Sequence, residues 1–69
     1  MTLEQLGFKR WNTPHTYKVY YRKKIGKDYE VVRIDIYRKK YKLINIENAD
    51  ITLIKAVKNK IKELIWNKE

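Results

Sequence analysis

The sequence predicts an α+β fold: a short N-terminal helical turn, a three-stranded antiparallel β-meander, and a long C-terminal helix packed on one face of the sheet. Three observations predict it. Tyr17, Val19 and Tyr21 fall at every second position, and so, in a second run, do Val32, Ile34 and Ile36. A glycine, Gly26, separates the two runs. Beyond Asp50 the apolar period changes to that of a helix, with Ile54, Val57, Ile61, Leu64 and Ile65 on one stripe and Leu53 widening it.

The first element rests on Thr2-Leu3-Glu4-Gln5-Leu6-Gly7. Thr2 with Gln5 three residues on fits a capping box, in which side chain and backbone satisfy each other's orphan groups. Gly7 fits a helix stop, because glycine enters the left-handed region without strain. Leu3, Leu6 and Phe8 then turn toward the body. Lys9 to Pro14 reads as a connector, with Trp11 tethering it to the core and Pro14 disfavouring helix.

From His15 to Ile25, Tyr17, Val19 and Tyr21 lie on one face, and Thr16, Lys18, Tyr20, Arg22 and Lys24 on the other. Gly26-Lys27 fits a two-residue turn with glycine supplying positive φ at its first position. That fixes a register in which Tyr21 faces Val32, Val19 faces Ile34 and Tyr17 faces Ile36. The opposite side pairs Lys18 with Asp35, Tyr20 with Arg33 and Arg22 with Val31. A slip of one residue would scatter the apolar set. Arg38-Lys39-Lys40-Tyr41 turns the chain again. A loop over Lys39–Tyr41 would set Ile36 against Ile44 and Ile34 against Ile46, with a third strand over Lys42–Glu47. Asn48 or Asp50 can cap the final helix, which runs to about Asn67. The whole chain, 1–69, is thus expected to be one α-β-β-β-α domain, stripe buried against sheet.

Composition limits what such a domain can do. At 69 residues a core supplies only about 3–5 kcal/mol of net stability. There is no cysteine, which removes disulfides and thiolate zinc sites. There is no serine, and His15 is the single histidine, so the usual nucleophile–base pairs are missing. Gly7 and Gly26 are too far apart for a glycine-rich phosphate loop. The expectation is a binding protein, not an enzyme, with neither metal nor cofactor. An acid at Glu4 and the lack of a long apolar run argue against a signal peptide or membrane span, so the protein reads as cytoplasmic.

The formal net charge is +9. Such an excess attracts polyanions, nucleic acid first. An AT-rich coding sequence also enriches lysine, although acids are not enriched alongside it here. Between Lys18 and Lys42 there are ten basic residues against three acids, Asp28, Glu30 and Asp35. One helix covers one face of a sheet, so the other face is expected to be open. The candidate binding residues are Lys18, Tyr20, Arg22, Lys24, Arg33, Tyr37, Arg38, Lys39 and Lys40: cations for phosphates, tyrosines for stacking or hydrogen bonds. Lysines along sheet edges also block aggregation, which is the alternative reading of the same residues. Lys55, Lys58 and Lys62 read as a solvated helix flank, with Trp66 covering the end of the core.

Leu3-Glu4-Gln5-Leu6-Gly7-Phe8-Lys9, with Leu53-Ile54-Lys55-Ala56-Val57 and Glu63-Leu64-Ile65-Trp66 near the other end, resembles small uncharacterised proteins of Firmicutes phages and integrated mobile elements. Those begin with a Leu-Gly-Phe segment and end in a helix similar to LLKAI followed by ELGW. Ile65 stands where that pattern has glycine before tryptophan, which lets the helix continue. The resemblance covers about a third of the chain and implies a phage or mobile-element origin, with no activity attached. In architecture the α-β-β-β-α order is similar to double-stranded-RNA-binding domains, but the first helix is too short and Ile51 to Lys58 lacks their basic cluster. A three-stranded sheet backed by a helix also resembles the arm-site DNA-binding domains of transposon integrases, which suit the open basic face better. A phage-encoded inhibitor of an acidic host or defence protein is the alternative function. A homodimer through Val31, Tyr37 and Leu43 is a third possibility.

Overall fold

In a computed structural model, which describes residues 1–11 and 17–66, the chain folds as strands β1 (Lys9–Trp11), β2 (Lys18–Ile25), β3 (Asp28–Asp35) and β4 (Lys40–Ile44), then helix α1 (Ile51–Trp66). The four strands form one antiparallel sheet in the order β1-β2-β3-β4. The expectations for Asn12 to Thr16, for the helix end at Asn67 and for the side chain of Trp66 lie outside the described residues.

The central hairpin follows from its alternation. Val19 pairs with Ile34 and Tyr21 with Val32, while Lys18 pairs with Asp35, Tyr20 with Arg33 and Arg22 with Val31. Ile36 donates its N–H to Tyr17 O at 2.9 Å, extending the ladder beyond the strand ends. Gly26 has φ +60 and Lys27 is not in the positive region, the signature of a type II′ turn whose twist suits the flanking strands.

Three features differ from expectation. First, there are four strands, because Lys9–Trp11 is no connector: Lys9 pairs with Arg22, Arg10 with Tyr21 and Trp11 with Tyr20. Second, Thr2–Gly7 forms a set of tight turns and no helix. The reciprocal cap is made, with Thr2 N donating to Gln5 Oε1 at 2.9 Å and Gln5 N to Thr2 Oγ1 at 3.0 Å. But Phe8 N donates back to Leu3 O at 3.0 Å, and Gly7 reverses the chain at φ +96. Burying both Leu3 and Phe8 requires that reversal, and six residues are too few to repay helix nucleation.

Third, β4 has another register. Val32 faces Leu43 and Ile34 faces Tyr41, in place of Ile46. The turn comes earlier than Lys39–Tyr41: it occupies Ile36–Lys39, closed by Asp35 Oδ1 accepting from Arg38 N at 3.0 Å, with Lys39 at φ 58. The odd shift exchanges the two faces of the strand. Leu43 and Tyr41 pack on the core, while Ile44 is exposed on the other side. Leu43 therefore cannot join Val31 in an exposed dimer surface.

The core lies between sheet and helix: Leu3, Phe8, Val19, Tyr21, Val32, Ile34, Leu53, Ala56 and Val57 are buried together. The helix is turned slightly from the expected stripe. Leu53, Ala56, Val57 and Lys60 face inward, while Ile54 and Ile65 are only half-buried. Asp50 is the cap: its Oδ1 accepts from Leu53 N at 2.9 Å and its carbonyl from Ile54 N at 3.1 Å.

Candidate functional site

Strand alternation and register together decide which side chains share the face away from α1. Tyr21, Val19, Val32 and Ile34 point to the helix, so their chain neighbours point away. Reading across the paired strands, one row holds Lys18, Asp35 and Lys40, and the next holds Trp11, Tyr20, Arg33 and Lys42. A third holds Lys9, Arg22, Val31 and Ile44, and Lys24 lies beside Tyr29 in the last. Seven cations thus share this face with one carboxylate. That carboxylate, Asp35, already accepts the Arg38 N–H. Among the described residues the only ion pairs are those of Lys60, on the other side of the sheet. The cations of the open face are not neutralised by those pairs.

Aromatic rings interleave with these charges. The Trp11 and Tyr20 rings meet edge-on, centroids 5.7 Å apart and planes at 69°. The Arg22 guanidinium carbon lies 4.9 Å from the Trp11 ring centroid and 4.6 Å from that of Tyr29. A cation over ring faces is attracted by the ring quadrupole, so Arg22 links two rings that would otherwise stand apart. Trp11 remains 40% exposed and Tyr29 38%.

Of the residues expected at a site, Lys18, Tyr20, Arg22, Lys24, Arg33 and Lys40 come together on this face. Arg38 and Lys39 lie in the turn at its end. There Arg38 borders two shallow clefts, one shared with Tyr17, Asp35 and Tyr37, the other with Arg33, Lys40 and Lys42. Tyr37 stands in the same turn, 85% exposed, at the end of the sheet and not over it. Lys9, Trp11, Tyr29 and Lys42 were not foreseen. Tyr29 and Lys42 follow from alternation once the register is known. Trp11 and Lys9 belong to a strand of three residues, too short to show a period.

On the covered face one cation is buried. Lys60 Nζ lies 3.0 Å from Glu4 Oε2 and 3.4 Å from Glu63 Oε2, and 5.5 Å from the Tyr21 ring centroid. Burial works against its charge, but the hydrogen bond to Glu4 and the attraction of Tyr21, Glu4 and Glu63 outweigh it, leaving the ammonium pKa above its ordinary value. The hydrogen bond from Lys60 in turn holds the Glu4 carboxyl below the ordinary range. This pair fastens the N-terminal turns to α1 and takes no part in the open face.

No helix among the described residues is long and apolar enough to cross a membrane. No family model matches the chain, and no curated protein and no solved structure matches it either.

Proposed function

We propose that this is a non-catalytic, cytoplasmic nucleic-acid-binding protein that uses the open face of its sheet. The observation that carries the reading is the charge of that face: Lys9, Lys18, Arg22, Lys24, Arg33, Lys40 and Lys42 against Asp35 alone. Arg38 and Lys39 extend it at the turn. Cations spaced over one sheet face meet successive phosphates and release their counterions, so affinity comes with a steep dependence on salt.

A fluorescence-anisotropy titration tests it. Six engaged phosphates should lower affinity for a duplex about a thousandfold between 50 and 200 mM salt, and for a single strand about 300-fold. Absence of binding at 50 mM, or binding indifferent to salt, overturns the proposal.

A second reading, an inhibitor of phage or mobile-element origin that occupies an acidic host protein, is favoured by one observation. Val31 and Ile44 form an apolar strip beside Arg22 on the open face, the arrangement of a protein interface with a dry centre and a charged rim. An acidic protein retained after nuclease treatment, and released by no oligonucleotide, would favour it over the first.

A further inference from the structure

Resting on the nucleic-acid reading, we infer that the ligand is an unpaired strand, whose bases stack on the ring cluster of Trp11, Tyr20 and Tyr29, and that Arg22 is the positioning residue of that cluster. The rings run from the edge strand β1 across β2 to the hairpin end of β3, with Lys9 and Lys24 beside them and Lys18, Arg33, Lys40 and Lys42 over the rest of the face. A paired base has its faces already covered by its neighbours in the stack. An unpaired base has both faces free, and every base has a face to give.

The shape of the surface agrees. Four strands separated by about 4.8 Å place the outer backbones about 14 Å apart before side chains are added. The major groove of a duplex is about 12 Å wide. The helix that could enter a groove, α1, lies behind the sheet with its inner side buried. What faces outward is the uncovered side of four paired strands, with the partly exposed Trp11 and Tyr29 rings among its cations.

Arg22 makes the platform. Its guanidinium lies against both the Trp11 and Tyr29 rings, at 4.9 and 4.6 Å, and Tyr20 closes on Trp11 from the next position. Rings fixed before binding lose less freedom when a base arrives. The in-plane N–H groups of a guanidinium stay available for a phosphate while its face is stacked.

The experiment compares four ligands of about 12 nucleotides at one salt concentration: an oligothymidylate, an oligouridylate, an abasic deoxyribose-phosphate strand and a duplex. Of the two tryptophans, Trp66 is replaced (W66F) so that Trp11 alone emits. The expected result is quenching of Trp11 by one or both base-bearing single strands, with weaker binding of the abasic strand and of the duplex. Trp11→Ala should weaken base-bearing strands about 5- to 150-fold, and Trp11→Phe should restore most of it. Arg22→Lys keeps the charge but not the planar stack: it should lower quenching and affinity while leaving the salt dependence unchanged. Circular dichroism establishes that each variant is folded. The stacking proposal fails if the abasic strand or the duplex binds as tightly as the oligothymidylate and oligouridylate, or if Trp11→Ala changes nothing while Arg33→Ala weakens binding. If no ligand binds at all, the nucleic-acid reading fails with it.

Discussion

Replacing Lys60 by methionine removes a buried charge and keeps most of the volume of its stem. Lys60 is 7% exposed and held by Glu4 at 3.0 Å and Glu63 at 3.4 Å. A buried ion pair gains attraction but has lost hydration, and an apolar side chain of similar size often does as well. Lys60→Met should therefore lie within about 1 kcal/mol of the parent. Glu4→Gln is the sharper change, because it leaves the ammonium buried with Glu63 alone. A hydrogen bond to a charged group contributes about 1.5–3 kcal/mol when enclosed, but Glu4 is half exposed, and solvent reduces this to about 1 kcal/mol. At this chain length that is a fall of about 4–8 °C in Tm. In the background of Lys60→Met, Glu4→Gln should cost nothing further, since the ammonium it would strand is gone.

The same pair sets a pH dependence. Glu4 has its folded pKa depressed below 4.5, so its contribution is present above the unfolded value and lost as pH falls through the folded one. Lys60 has its folded pKa raised above 10.5, so its contribution is present below the unfolded value and lost as pH rises through the folded one. Denaturation followed at pH 7 and at pH 2 checks the first statement, and a series carried above pH 10.5 checks the second. The gap between parent and Glu4→Gln should close at the acid end. A gap that persists there, or a Lys60→Met variant less stable than Glu4→Gln at pH 7, refutes the reasoning.

The register of β4 and the hairpin turn give two further tests. Leu43→Lys replaces a partly buried apolar side chain packed against the core and should cost about 1–3 kcal/mol, whereas Ile44→Lys on the open face should cost under about 1 kcal/mol; equal losses would contradict the pairing of Leu43 with Val32. Gly26→Val forces a β-branched residue to φ +60 and should cost about 1–2 kcal/mol in a denaturant melt, although open space surrounds the position.

Sequence reasoning reached furthest where two independent signals agreed. In the β2–β3 hairpin, alternation on both sides of Gly26 allows only one register, and each pair it implies within the strands is found. At β4 the signals conflict. Tyr41 and Leu43 offer one apolar face, Ile44 and Ile46 the other, and the turn between carries neither Gly nor Asn to mark its position. The choice is made by Lys39 accepting φ 58 and by Asp35 closing the turn, neither of which has a strong signature. On α1 the pattern locates the helix, but nothing in it marks Lys60, whose partner Glu4 is 56 residues away. The basic half of the candidate face was legible because alternation exposes it. Of its ring cluster, Tyr20 was legible in the same way, but Trp11 was not, because it sits in a strand without a period, ordered only by pairing with β2.

That short strand depends on both layers of the fold. Three residues of ladder are a weak hold, and Lys9, Arg10 and Trp11 are all exposed. What precedes them is firm. Leu3 and Phe8 are buried in the core, Gly7 turns the chain by its positive φ, and Glu4 is tied to Lys60 on α1. The N-terminal turns therefore anchor on the helix side and deliver Trp11 to the opposite side, where Arg22 and Tyr20 receive its ring. β2, β3 and β4 hold one another through longer ladders and need none of this. Loosening the Glu4–Lys60 contact should thus free β1, and with it the Trp11 ring at the edge of the open face, at a smaller cost than unfolding the sheet. In Glu4→Gln the emission of Trp11 should therefore move toward that of a water-exposed indole while the amides of β2 to β4 keep their protection from hydrogen exchange, and an unchanged Trp11 emission would contradict this coupling.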